Sequence, residues 1–487
     1  MSTVDRDRPN PSTDPAWEIV IGLEVHCELR TATKLFCGCR NSFGEEPNTS
    51  VCPVCLGLPG SLPVLNRTAV DYAMRIGTAL HCRVQPSQFH RKNYFYPDMP
   101  KDYQISQYDV PINADGWLDL PDGGRIGIIR AHLEEDTGKT THVGGGGRIH
   151  DAAHSLVDYN RAGVPLVEIV SAPDIRSAEE ARAYVDELRA ILVATGASDG
   201  KMEEGSLRVD ANVSVRPAGS TDFGTRCEIK NMNSLRSLGR AIEYEAARQM
   251  ALISEGGTVA QETRHWDEGG GRTGSMRSKE EAYDYRYFPE PDLVPLEPSE
   301  DWVAAVATSL PRLPADRRAA VAEASGLPAG SDAVATVVRL GLDHLVDAVV
   351  SAAGPPDAPS VAVRRLANEV AADPEAAASL DPASFARLVG MEAGGALTAA
   401  QARTVLKAIM DRGGEPEAIA SELGFEAMDV SDLEAVVEEI ISAHPDEWSR
   451  FEAGEDKLTG FFIGKVKAAT DGKADLKAAS SILRNRR

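Results

Sequence analysis

No apolar run in this chain approaches the roughly 18–20 residues that a membrane-spanning helix needs, so the sequence predicts no membrane association. Basic residues are in deficit: 51 Lys and Arg against 74 Asp and Glu give a formal charge of −23. That balance disfavours indiscriminate adhesion to nucleic acid, though it permits a local basic patch. Cysteine is absent after Cys227 and tyrosine after Tyr287. Seven clustered cysteines in 487 residues are too few for a disulfide framework. The first 15 residues are polar, contain Pro and Asp, and lack an apolar segment. They predict a disordered N-terminus (1–15) rather than a signal or transit peptide, and therefore a cytoplasmic protein. No Walker A motif is present: Thr137-Gly138-Lys139-Thr140 looks like the end of one, but Leu133 stands where the first glycine belongs.

What is present divides into two halves. The first carries every cysteine and tyrosine and mixes strand and helix patterns; beyond Pro298 the chain turns rich in Ala, Glu, Val and Leu with frequent helix punctuation. Arg208 to Arg216 alternates cleanly, while Ile126–Arg130 and Pro165–Val170 read as buried strands. Helices are expected from Ser177 to Thr195, with Ser177 and Glu180 as a capping box, and from Leu235 to Ser254. The expected class is α+β, with a large, mostly antiparallel sheet over 16–297 that keeps one wet face. An all-α domain over 298–412 follows, then a small helical tail from Gly413 to 487. The tail is basic from Lys457 on, with eight Lys or Arg against two Asp, which suits a polyanion.

Three patterns bear on chemistry. From Leu23 to Leu29 apolar and polar residues alternate, so Glu24, His26 and Glu28 share one strand face. A solvated sheet face explains this as well as a metal site does. Further acids change that balance: Glu134 and Glu135 in His132-Leu-Glu-Glu-Asp136, and Glu168, alone inside the apolar Pro-Leu-Val-Glu-Ile-Val. A lone carboxylate in a buried strand is costly unless compensated. Glu24, His26, Glu168 and one of Glu134 and Glu135 would make an oxygen-rich set for Mg²⁺ or Mn²⁺. Glu28 has no partner in this account and is expected to be solvated. The second pattern, Cys37-x-Cys39 followed by Cys52-x-x-Cys55, can set four thiolates tetrahedrally around a structural Zn²⁺. The third interleaves aromatic and basic groups from Arg91 to Tyr108, a composition that suits nucleotides or a protein interface.

These stretches also resemble a known family. Ile21-Gly-Leu-Glu-Val-His26, Arg91-Lys-Asn-Tyr-Phe-Tyr-Pro-Asp98, His132 to Asp136, Lys201-Met-Glu-Glu-Gly-Ser-Leu-Arg208 and Asp284 to Asp292 look like the B subunit of the glutamyl/aspartyl-tRNA amidotransferase, the GatB family. The Gly-Phe-Phe-Ile-Gly core at 460–464 extends the resemblance to the tail. It implies a cradle-shaped catalytic domain over 16–297 and a tRNA-binding tail. It further implies that ATP phosphorylates the side-chain carboxylate of Glu-tRNA(Gln) or Asp-tRNA(Asn), and that ammonia from glutamine displaces the phosphate. The implied partners, in a heterotrimer, are an amidase, the A subunit, with a small C subunit. By resemblance Glu24, His26, Glu135 and Glu168 are the Mg²⁺ ligands, and Lys92 and Asp210 are candidates for the active face or the ammonia path. The archaeal relative's inserted synthetase-like domain has no room after Pro291, so the bacterial or organellar type fits. The loop from Val143 to His154 reads as an insertion of little functional weight. The competing reading is a non-catalytic module that positions tRNA for a partner enzyme.

Overall fold

The computed structural model describes residues 16–486 except 122, 145–151, 278–284, 374–375, 378, 426–429, 471–473 and 475. The expected disorder of residues 1–15 and the glycine-rich tip at 145–147 lie outside the described residues. The strands are β1 (Trp17–Glu28), β2 (Arg83–Val84), β3 (Gln88–Asn93), β4 (Tyr103–Val110), β5 (Asn113–Asp119), β6 (Arg125–Glu135), β7 (Lys139–Val143), β8 (His154–Asp158), β9 (Pro165–Ser171), β10 (Leu207–Pro217), β11 (Cys227–Met232), β12 (Thr263–Asp267), β13 (Arg272–Arg277) and β14 (Phe288–Pro289). Ten of them make one sheet in the order β13-β12-β11-β10-β1-β9-β6-β4-β3-β14, with β5 and β2 attached beyond β6. Among the described residues only the β11–β12 pairing is parallel, so the α+β class with a mostly antiparallel sheet holds. β7 and β8 pair separately, on either side of the Val143–His154 loop.

Period-two patterning decides which face is covered. Ile19, Ile21, Leu23, Val25 and Cys27 of β1 point into one apolar core with Val209, Ala211, Val213, Ile169 and Leu133. That core is closed by α1 (Arg67–Ala79), α2 (Ala178–Ala194) and α3 (Leu235–Ser254). Ser177 caps α2 by accepting from Glu180 N at 3.0 Å, whereas the Glu180 carboxylate accepts from Arg176 N rather than closing the box on Ser177. The opposite face carries Glu24, His26, Glu28, Arg208, Asp210, Asn212 and Glu168, and no described helix covers it.

The chain separates into two compact units that divide at Leu313 and Pro314, later than the composition change at 298. The reason is α4 (Glu300–Thr308), which packs on the first unit: Trp302 Nε1 donates to Asp71 Oδ1 at 2.6 Å, and Arg67 lies over the Trp302 ring at 4.0 Å. The second unit is helical: α5 (Pro314–Ser325), α6 (Asp332–Arg339), α7 (Asp343–Ser351), α8 (Ala358–Asn368), α9 (Pro382–Ala393), α10 (Ala399–Arg412), α11 (Pro416–Glu422), α12 (Val430–Ala443), α13 (Pro445–Glu452), α14 (Leu458–Ala469) and α15 (Leu476–Arg486). It contains two separate apolar cores. Ile419 and Ala420 of α11 belong to the earlier one, so the break between them falls after α11 rather than at Gly413-Gly414. Leu433, Val437, Phe451, Phe462 and Leu483 form the tail's own core.

Candidate active site and metal centres

Register, not sequence proximity, assembles the candidate site. Arg208 of β10 faces His26 of β1, His26 faces Glu168 of β9, and Glu168 faces His132 of β6. Four strands thus set these side chains in one row on the uncovered face. Two residues further along β6, Glu134 joins them: its Oε1 is 3.8 Å from His26 Nε2 and its Oε2 is 4.0 Å from His132 Nε2. His26, Glu134 and Glu168 each offer a ligand atom, and those atoms lie within 4.8 Å of one another.

The β6 glutamate here is Glu134, not the Glu135 expected from the resemblance. The strand continues through both residues, so their side chains take opposite faces. Glu135 turns to the covered side, where its Oε1 accepts from Lys101 Nζ and, at 3.0 Å, from Ile105 N. Both ends of that ion pair are buried. Glu24 shares the face with His26, but its Oε1 accepts from Asn212 Nδ2 at 2.9 Å and it stands outside the three-residue ligand cluster. Burial, then the charges of Glu168 and Glu228, hold the Glu24 carboxyl above its ordinary range.

His132 belongs to a motif visible in the sequence, but no role for it was expected there. It is fully buried, its Nε2 lies 3.3 Å from Glu168 Oε2, and neither ring nitrogen makes a hydrogen bond among the described residues. The available signal was its alternation with Glu134. Burial alone would raise the Glu168 carboxyl, yet the approach of His132 and the charges of His26 and Arg130 hold it well below the carboxylate range. A buried imidazole with orphaned nitrogens beside two carboxylates is a polar group still short of a partner.

Lys92 and Asp210 are brought to the same place. Both line a cavity of 410 Å³ together with His26, Glu134, Asp136 and Arg208. Lys92 Nζ sits 4.8 Å from the Tyr285 ring and 5.7 Å from the Tyr94 ring. Asp210 accepts from Lys230 Nζ at 2.6 Å. Although burial opposes it, the carboxylates of Asp210 and Glu228 push the Lys230 ammonium well above its usual range. Two tyrosines of the Arg91–Tyr108 stretch pack against other aromatic rings: Tyr94 meets Tyr285 edge-on at 6.0 Å, and Tyr108 stacks on Tyr287 at 5.2 Å and meets His132 edge-on at 6.4 Å.

Glu28 is not solvated. It is half-buried beside Asp136, and burial followed by the Asp136 charge pushes its carboxyl up to about 7. Arg208, 2.6 Å from Asp136 Oδ2, and Arg161 keep Asp136 ionised. An ionised carboxylate next to a second carboxyl makes ionising that second group costlier.

Cys37, Cys39, Cys52 and Cys55 form a second cluster, again with ligand atoms within 4.8 Å of one another. Tetrahedral coordination at a Zn–S distance of about 2.3 Å separates sulfurs by about 3.8 Å. Cys52 Sγ and Cys55 Sγ are 3.9 Å apart, so the four thiols can bind a structural zinc. The hydrogen bond from Cys37, with help from the Lys34 charge, pulls the Cys55 thiol down to about 5. Lys34 is fully buried, with Nζ 2.8 Å from Ser50 O.

The sequence is similar to those of known proteins. Residues 19–304, which hold the sheet, fit the family described as the GatB/GatE catalytic domain. Residues 344–486 fit the GatB domain. Relatives named as the B subunit of aspartyl/glutamyl-tRNA(Asn/Gln) amidotransferase are similar over almost the full length. The Frankia casuarinae protein is 50% identical, covering 100% of this chain and 99% of its own. That of Carboxydothermus hydrogenoformans is 46% identical over 96% and 98%, and that of Nocardia farcinica 49% identical over 94% of each. The chain belongs to the GatB family. No described helix is long and apolar enough to cross a membrane.

Proposed function

We propose that this chain is the carboxylate-activating member of a tRNA-dependent amidotransferase. It uses ATP to phosphorylate the side-chain carboxylate of Glu-tRNA(Gln), Asp-tRNA(Asn) or both, and then lets ammonia displace the phosphate. The observation that carries this reading is the convergence of His26, Glu134 and Glu168 with Lys92 and Asp210 on one uncovered sheet face. His26, Glu134 and Glu168 would hold Mg²⁺, with Glu24 as the nearest additional carboxylate. Their imidazole and oxygen donors, with the orphaned ring nitrogens of His132 beside them, fit such an ion. A divalent ion there would neutralise charge on the transferring phosphoryl group.

The chain's own residues set the rest. A carboxylate resists amines, whereas an acyl phosphate has a good leaving group. Lys92 and Arg208 place positive charge in the cavity for phosphate oxygens. Arg208 also keeps Asp136, in the cavity wall, ionised. Ammonia would come from glutamine cleaved by a partner amidase, the A subunit, with a small C subunit making up a cytoplasmic heterotrimer. The names of the relatives, the B subunits of such enzymes, support this assembly.

Reconstitution with both partners tests the activity. The complex should amidate misacylated tRNA in an ATP-dependent reaction, and Glu168→Ala should lower that rate by at least ~10²-fold while glutamine hydrolysis by the partner continues. A normal transamidation rate in Glu168→Ala would instead make the chain a tRNA-positioning module. Lys457, Lys465, Lys467, Arg484 and Arg486 are exposed on the tail. A chain ending at Gly454 should therefore bind tRNA more weakly, and the slope of log affinity against log salt should flatten by about one for each phosphate that is no longer neutralised. An unchanged slope would leave the tail as a solubilising end.

A further inference from the structure

One fully buried cation has no counter-charge in the chemistry above. Lys34 is closed off from solvent, and its ammonium donates only to two neutral carbonyls, Ser50 O at 2.8 Å and Tyr159 O at 3.4 Å. No carboxylate pairs with it among the described residues. Glu135, whose Oε2 borders the same Gly163, is already neutralised by Lys101. An ammonium in such a place is costly unless an anion compensates it, and carbonyl dipoles compensate only part of the cost.

The surroundings contain the source of an anion. Lys34 stands on the hairpin that carries the first cysteine pair. Its neighbour Thr33 bridges Arg40, and its own N–H donates to Cys39 O at 3.0 Å, so Cys37 and Cys39 lie in the turn between. The Ser50 carbonyl that its ammonium holds comes two residues before Cys52. Its stem lies beside the last cysteine: a Cβ placed on Gly163 would be 3.6 Å from Lys34 Cδ and 3.6 Å from Cys55 Cβ. Lys34 thus reaches both halves of the cysteine cluster. Arg40, the other cation on the hairpin, has a side chain 77% exposed and is screened by water.

We propose that Lys34 is the fixed positive charge that neutralises a tetrathiolate centre at Cys37, Cys39, Cys52 and Cys55, and thereby sets the affinity of that centre for a divalent ion. The proposal rests on the reading of the four cysteines as a zinc site and is independent of the amidotransferase reading. Four thiolates around one Zn²⁺ leave a surplus of negative charge. A buried ammonium and a buried anionic centre each lower the cost of burying the other. Lys34 does not ligate the ion; it acts from behind the ligands, where partners commonly tune a metal site.

The test uses the full chain, purified with zinc, and the variants Lys34→Met and Lys34→Gln. Methionine keeps an apolar stem without charge or donor; glutamine keeps an N–H donor for the carbonyls without the charge. Competition with a chromophoric chelator should show zinc held about 10–100-fold more weakly in both variants. Co²⁺ titration should show the thiolate-to-metal charge-transfer band at unchanged intensity, because all four sulfurs still bind. Added zinc should raise Tm less in both variants than in the wild type, while the Tm of the metal-free chain stays the same. Wild-type zinc affinity in Lys34→Met overturns the proposal. Wild-type affinity in Lys34→Gln alone, or a fall in Tm that is equal with and without zinc, overturns it too, since either makes Lys34 a clamp on Ser50 and Tyr159. A wild-type chain that takes up no zinc removes the cysteine site and the proposal together, whereas a zinc-bound wild type with indifferent variants removes only the role of Lys34.

Discussion

Glu134→Gln is expected to remove most of the chain's divalent-cation affinity, and Glu135→Gln almost none. The two residues are adjacent in sequence and lie on opposite faces of β6. Glu134 Oε1 stands 3.8 Å from His26 Nε2, within reach of an ion that Glu168 also touches. Glutamine keeps the size of Glu134 but drops the charge, and a Mg²⁺ or Mn²⁺ site with one carboxylate fewer should weaken by at least ~10-fold, the lower end for a perturbed metal shell. Glu135 has a different task. Its carboxylate neutralises Lys101 inside the protein, and Glu135→Ala would strand that ammonium at a cost of about 3–5 kcal/mol. Mn²⁺ titration followed by paramagnetic relaxation reads the first effect, and denaturant unfolding reads the second. Weakened Mn²⁺ binding in Glu135→Gln with unchanged binding in Glu134→Gln would reverse the assignment.

The contrast shows where a sequence pattern reaches its limit. Alternation in β1 correctly puts Glu24, His26 and Glu28 on one face, because a half-buried strand writes its faces into its hydrophobic pattern. In β6 the same rule was available from Ile126 onward, but the polar run His132-Leu-Glu-Glu-Asp136 looks like the end of a strand. Only its pairing with Pro165 to Ser171 shows that the strand continues through Glu135. Its buried lysine partner, Lys101, is 34 residues away, a separation that no local pattern reports. Glu28 was legible as a face residue but not as half of a carboxyl pair, since Asp136 reaches it only through the β1–β9–β6 pairing. The helical half was legible as helix from its caps and glycines. Its boundaries were not, because α4 is held by Asp71 and Arg67 of the first unit, and composition does not record tertiary contacts.

Cys52→Ser, or removal of metal by a chelator, is expected to release the segment between β1 and α1. That stretch, from Leu29 to Asn66, contains no described helix or strand beyond isolated bridges, and loops of such length without structure of their own usually need an added constraint. Several apolar side chains in it, Phe43, Leu58, Leu62 and Val64, face solvent, so hydrophobic burial alone does not hold it. A four-thiolate zinc site would supply the missing free energy, because binding energy at a structural zinc is folding energy. Elemental analysis should find about one zinc per chain in the wild type and a large loss in Cys52→Ser. Limited proteolysis should then cut the variant between residues 37 and 64 while the sheet core resists. The damage should also travel. Gly57, two residues past Cys55, lies directly against Lys101, and Lys101 holds Glu135 beside the β6 cluster residue Glu134. Loss of the knuckle should therefore weaken Mn²⁺ binding at the distant cluster, though less than Glu134→Gln does. A wild-type chain without zinc whose four thiols titrate freely would overturn the zinc site and make the cysteines free thiols.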